Sequence, residues 1–125
     1  MEVHIAHPGG GPAIVTMRGQ LDVDSAPALR TAFDQLAAQG AAQIIVDMAG
    51  LDFCDSIGLS AFVVAHARCA AQGGWLRMAA PTPFLVRLLS VVGVADAVPM
   101  FATVDGARRG DRSDLVVYRP DGRVA

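Results

Sequence analysis

Hydrophobic positions change rhythm several times along the chain, and each rhythm marks an element. Val3 and Ile5 alternate with polar neighbours, and Ala13 to Met17 is an apolar run; the Pro8-Gly9-Gly10-Gly11-Pro12 stretch between them predicts a turn and hence a hairpin. Gly19 is expected to end the second strand. Asp24 and Ser25 are residue types that cap helices, Pro27 suits a first turn, and Ala26, Leu29, Phe33, Leu36 and Ala37 recur at helical spacing until Gly40. Gln43 to Met48 lacks alternation, which predicts a strand buried on both faces. After a loop, Asp55 or Ser56 opens a second helix running to about Gln72, with Leu59, Phe62, Val63, His66 and Ala70 along one side and Gly73-Gly74 as its stop. Trp75 to Ala79 predicts a fourth strand. Thr82 and Pro83 then start a third helix through Phe84, Leu85, Leu88, Leu89 and Val92, ending at Gly93. A short strand from Val98 to Thr103 and a helical turn from Asp105 complete the pattern.

The order β-β-α-β-α-β-α-β-α predicts the α/β class: one domain, a mixed and mostly parallel sheet of about five strands, helices packed on it, and an antiparallel first strand. Residues 1–109 are expected to form this domain. Residues 110–125 read as a tail or an added edge strand, with Leu115-Val116-Val117-Tyr118 set among Arg112, Asp114, Arg119, Asp121 and Arg123.

Composition removes several functions. The chain has 125 residues, is 53% hydrophobic and carries a net charge of -2, so it is too apolar for a disordered chain and lacks a basic face for gripping nucleic acid. All 10 basic residues are arginine. Without lysine there is no Walker-A phosphate loop, no lysine Schiff base and no lysine-dependent kinase-type ATP site. Cys54 and Cys69 are too few for a metal clamp and lie in apolar segments, so buried thiols are expected. No signal-like start and no apolar run of about 18 residues is present, so the expectation is a cytoplasmic protein without membrane insertion.

The second and third strands run parallel, so the segments leaving their carboxyl ends, 19–24 and 49–56, meet at one edge of the sheet, where α/β proteins place their sites. Four of the 12 acidic residues, Asp22, Asp24, Asp52 and Asp55, fall there beside Ser56. Capping of the second helix explains Asp55 and Ser56 taken alone. A nucleophilic serine needs a base, yet His66 sits ten residues further along the same helix, about 15 Å away at 1.5 Å per residue, and His4 and His7 belong to the opening hairpin. No Gly-x-Ser-x-Gly elbow is present. Asp22 and Asp24 have part of the spacing of an oxygen-ligand metal loop but lack the glycine and glutamate of an EF-hand, so no metal or cofactor is expected. A third reading makes Ser56 a switch. A phosphate there adds about -1.5 to -2 charge, and a partner docked on that edge would have to bury it.

Gly19-Gln20-Leu21-Asp22, Ile45-Val46-Asp47 and Phe53-Cys54-Asp55-Ser56-Ile57-Gly58-Leu59 resemble the STAS domain of bacterial anti-sigma factor antagonists. Gly73-Gly74, Pro81-Thr82-Pro83 and Leu89-Ser90-Val91-Val92-Gly93-Val94 continue the likeness, which spans roughly residues 3 to 107. The resemblance implies a non-enzymatic partner-switching regulator. Such an antagonist binds an anti-sigma factor that is also a serine kinase of the histidine-kinase-like ATPase fold, and so releases a sigma factor. The kinase then phosphorylates the serine matching Ser56, and a PP2C-type phosphatase restores it. By the same analogy Asp22, Asp24, Asp52, Asp55, Ile57, Gly58 and Leu59 form the partner-binding edge, with Gly58 allowing close backbone approach. Ile57 stands where the family usually carries a small residue, and Gln20 where glutamate is common. The resemblance also covers constitutive modules, such as a stressosome-like scaffold or the soluble subunit of a lipid-transport complex. A weak homodimer is left open.

Overall fold

The computed structural model describes residues 1–118, so Arg119, Asp121 and Arg123 of the expected tail lie outside the described residues. Five strands form one sheet in the order β1-β2-β3-β4-β5: β1 (Glu2–Ala6), β2 (Ala13–Leu21), β3 (Gln43–Cys54), β4 (Trp75–Ala79) and β5 (Met100–Phe101). β1 is antiparallel to β2, and every later pairing is parallel. The helices are α1 (Ala26–Ala38), α2 (Ser56–Ala71), α3 (Pro83–Val91), α4 (Val94–Ala97) and α5 (Val104–Arg109). The α/β class, the mixed sheet and the antiparallel first strand agree with the sequence reading.

Alternation along β2 explains why the sheet has a main face. Ala13, Val15 and Met17 are buried, and Ile14 and Thr16 between them are half-buried on the other side. The main core joins those residues to Leu29, Phe33 and Leu36 of α1, Leu59, Phe62 and Cys69 of α2, and Leu85 and Leu89 of α3. Phe33 meets Phe62 edge-to-face at 6.5 Å between ring centroids, which ties α1 to α2. A smaller core on the opposite face gathers Ile45, Ala79, Phe101 and Ala107 beneath α5. Beside it the Arg77 guanidinium stacks 3.7 Å from the centroid of Trp75 and donates to the Ala107 carbonyl at 2.9 Å.

Five details differ from the sequence reading, the simplest being that β5 is only Met100–Phe101 where a strand from Val98 to Thr103 was expected. Gly19 does not end β2, and β3 does not stop at Met48. The two strands stay paired to Leu21 and Cys54 through irregularities at Thr16/Arg18 and Gly19/Gln20. Glycine makes this continuation feasible: Gly19 has φ of 105°, and a Cβ on Gly50 would stand 2.8 Å from Arg18 Cγ. The buried face of α2 is Gly58, Leu59, Ala61, Phe62, Ala65 and Cys69, which leaves Val63 and Ala70 exposed and His66 only half-buried. Because α2 is apolar on nearly every side, spacing alone could not select the inner face. Between α3 and β5 the chain inserts α4, entered through Gly93 at φ 87°.

Residues 111–118 dock on β5. Leu115 bridges antiparallel to Phe101, and the Val116 N–H donates to the Met100 carbonyl at 2.9 Å. The Asp114 carboxylate accepts from the Thr103 N–H at 3.0 Å and the Thr103 hydroxyl at 2.8 Å, while that hydroxyl oxygen accepts from the Gly106 N–H. Asp114 thereby fastens the segment to the start of α5. Replacing Asp114 with Ala should lower stability by about 1–2 kcal/mol, the usual effect of losing hydrogen bonds to a charged group, as read from the midpoint of urea denaturation.

Candidate functional site

Two chain segments meet where β2 and β3 end. The Asp55 N–H donates to the Leu21 carbonyl at 3.0 Å, so the residue opening α2 is held against the last residue of β2. Gly58 completes the seam, since a Cβ there would lie 2.5 Å from Leu21 Cγ and 3.2 Å from Cys54 Sγ. Only glycine lets the first turn of α2 settle this low on the sheet. Cys54 is buried below it, and burial, followed by the charge of Asp55, pushes its thiol up to about 12. It is therefore packing material with almost no thiolate near neutral pH. Cys69 is buried as well.

Asp55 is the N-cap of α2: its Oδ1 accepts from the Ile57 N–H at 3.0 Å and the Gly58 N–H at 2.9 Å. Ser56 therefore occupies the first helical position rather than the cap. It is exposed, and among the described residues its hydroxyl has no hydrogen-bond partner. Asp22 performs a second local task. Its Oδ1 accepts from the N–H groups of Asp24, at 3.0 Å, and Ser25, at 3.1 Å. The Ser25 hydroxyl closes the turn: its oxygen accepts from the Asp22 N–H at 2.9 Å, and its one proton is shared between the Gln20 carbonyl at 2.7 Å and Asp22 Oδ1 at 3.1 Å. The Ser25 N–H, then the Ser25 hydroxyl, hold the Asp22 carboxyl below the usual carboxylate range. Asp24 and Asp52 are simply exposed.

The expected edge is thus partly rearranged. Asp22, Asp55, Ser56 and Ile57 come together at the seam, and Ile57 is 40% exposed. Gly58 and Leu59, expected on the partner-binding edge, are buried beneath it, Leu59 in the main core. The close approach that Gly58 permits is internal, to Leu21. Asp22 and Asp55 stand at the seam and Asp24 and Asp52 are exposed beside it; among the described residues no three His, Cys, Asp or Glu side chains are grouped to hold a metal ion. The apolar part of this edge was missed in the sequence. Phe53 at the end of β3 stacks on Phe84 of α3, with ring centroids 6.3 Å apart, yet the two remain 40% and 49% exposed. Phe84 reads in sequence as a core position of α3, because only the structure shows that helix turned to put Leu85, Val86 and Leu89 inward.

The chain matches the STAS domain over residues 5–107 and belongs to that family. It is 34% identical over 92 residues to the anti-sigma-B factor antagonist of Bacillus subtilis strain 168, covering 74% of this chain and 84% of that protein. The crystal structure of an anti-sigma factor antagonist from Mycobacterium paratuberculosis superposes with a TM-score of 0.79 at 22% identity, over 89% of this chain and 93% of that one. The unphosphorylated form of the anti-sigma factor antagonist SpoIIAA gives 0.75 at 20% identity, over 90% and 97%. No helix among the described residues is long and apolar enough to cross a membrane.

Two measurements test the local account. Gly58→Ala should destabilise the fold by about 1–3 kcal/mol through overpacking against Leu21, seen as a lower denaturation midpoint. In an NMR titration the Asp22 carboxyl should protonate below the usual range. Its folded-state value is depressed, so its contribution to stability is present above about pH 4 and is lost as pH falls through the folded value.

Proposed function

We propose that this chain is an anti-sigma factor antagonist that works by docking and is switched off by phosphorylation at Ser56. The observation that carries the reading is the exposed Ser56 hydroxyl at the first position of α2, left free because Asp55 supplies the cap. Family membership and the name of the Bacillus subtilis relative support it. The chain has no lysine for an ATP site, so the phosphoryl group comes from a partner. That partner is an anti-sigma factor serine kinase of the histidine-kinase-like ATPase fold, and a PP2C-type phosphatase reverses the reaction. The Ser56 oxygen takes the γ-phosphoryl group of the kinase's ATP, and ADP and a proton leave.

The proposed docking edge combines Asp22, Asp24, Asp52 and Asp55 with exposed Ile57, Phe53 and Phe84. Exposed aromatic groups of this kind are the residues that anchor protein interfaces, and the aspartates favour a partner with a basic rim. Phosphorylation needs no refolding to break the contact. The start of α2 favours an added dianion by about 0.3–1 kcal/mol, whereas burying it unpaired in an interface costs several kcal/mol. Ile57 beside the acceptor packs outward, so it sits where the kinase must close over the serine and selects among kinases. Gly58 and Leu59 act beneath the edge by holding its shape.

Incubation with the cognate kinase and ATP, followed by mass spectrometry, should place a single phosphate on Ser56; phosphate elsewhere or nowhere contradicts the switch. Ser56→Ala should bind the kinase as well as the unmodified chain does, and Ser56→Asp at least roughly tenfold more weakly, the equivalent of about 1.4 kcal/mol. Equal binding by the two variants would remove the electrostatic gate. Co-purification with a transporter ATPase in place of such a kinase would indicate a constitutive module.

A further inference from the structure

Helices α1 and α2 each connect two parallel strands, so both run against the sheet and lie side by side on its main face. Between them is a cleft of about 330 Å³. One wall is a stripe of α1 (Arg30, Phe33 and Asp34, spaced i, i+3, i+4), and the other is a stripe of α2 from Ser60 through Val64 to Arg68. The floor is apolar, made by buried Phe33, Ala61 and Ala65, and Val64, 63% exposed, extends that apolar surface up the α2 wall. Charge gathers only at the rim. Arg68 pairs with Asp34 at 3.0 Å, whereas Arg30 is exposed and, among the described residues, has no ion pair.

We propose that this cleft binds an organic monoanion with an apolar body, such as a medium-chain carboxylate. The charge count selects the class: two arginines against one aspartate leave a single positive charge at the rim, and it resides on Arg30. The lining selects the body, since a mainly hydrophobic cleft with a few convergent polar groups is the common form of a small-molecule site. Size agrees as well. A volume of about 330 Å³ falls at the small end of the range of small-molecule sites, which suits a short or medium-length chain. The Arg68–Asp34 pair is solvent-exposed and therefore weak, so its side chains yield to a ligand at little cost. The Ser60 hydroxyl, which donates to the Ile57 carbonyl at 2.7 Å, stands one helical turn beyond Ser56. A ligand in the cleft would thus lie against the helix that carries the proposed switch, although its binding does not depend on that switch.

The test titrates the folded chain with decanoate and follows backbone amide NMR signals. Saturable shifts centred on residues 30–34 and 60–68 are expected. Arg30→Gln, an exposed substitution that leaves the fold intact, should weaken binding by roughly fivefold or more, and decan-1-ol should bind weaker than decanoate by a similar factor. Val64→Glu should abolish the shifts. The proposal is overturned if decanoate leaves these residues unmoved, if shifts spread over the surface without saturating, or if the alcohol binds as well as the acid.

Discussion

The approach of α2 to the end of β2 is the constraint on which this edge of the molecule depends. Gly58 rests on Leu21 where no Cβ fits, and the Asp55 N–H donates to the Leu21 carbonyl at 3.0 Å. These two contacts fix the height of the helix on the sheet. They also fix its rotation, which in turn decides that Leu59 and Phe62 enter the core while Ser56 and Ile57 face outward. Asp55 then satisfies the free N–H groups of the first turn, and that capping leaves the neighbouring serine unengaged. A free hydroxyl at a rigid helix start is a consequence of packing below it.

The same seam explains the unequal duties of the four aspartates. Asp22 and Asp55 are structural first, each accepting backbone N–H groups at the start of a turn or helix. Asp24 and Asp52 are only charge on the surface. Added to the exposed Phe53–Phe84 stack, they give an edge with an apolar centre and an acidic border. An apolar centre with a charged border is the common anatomy of a protein–protein interface.

Much of the architecture was legible because it follows from local rules. Gly9 to Gly11 with flanking prolines marked the hairpin, Thr82-Pro83 marked the start of α3, and the non-alternating Ile44-Ile45-Val46 marked a central strand. Where glycine serves tertiary contact, the local rule misleads. Gly19 looks like a strand end and Gly50 falls in an expected loop, yet both let β2 and β3 stay paired through bulges, so the expected loops became strand. Helix α2 lacks a polar face, and its orientation came from Leu21 and the sheet, information absent from its own residues. Phe84 was hidden for the same reason: whether an aromatic residue on a helix is core or surface depends on what the helix packs against. The segment 111–118 depends on Asp114 reaching Thr103 and Gly106, a contact between residues about ten apart that no periodicity announces.

The central claim is that partners dock on the edge around Ser56. Hydrogen–deuterium exchange on the unphosphorylated chain, with and without the proposed kinase partner, tests this most directly. The account predicts new protection in residues 21–25, 52–60 and 83–87, with little change in β1 or the 7–12 turn at the opposite end of the sheet. Protection concentrated on β1 and that turn, with the Ser56 edge unchanged, would contradict it.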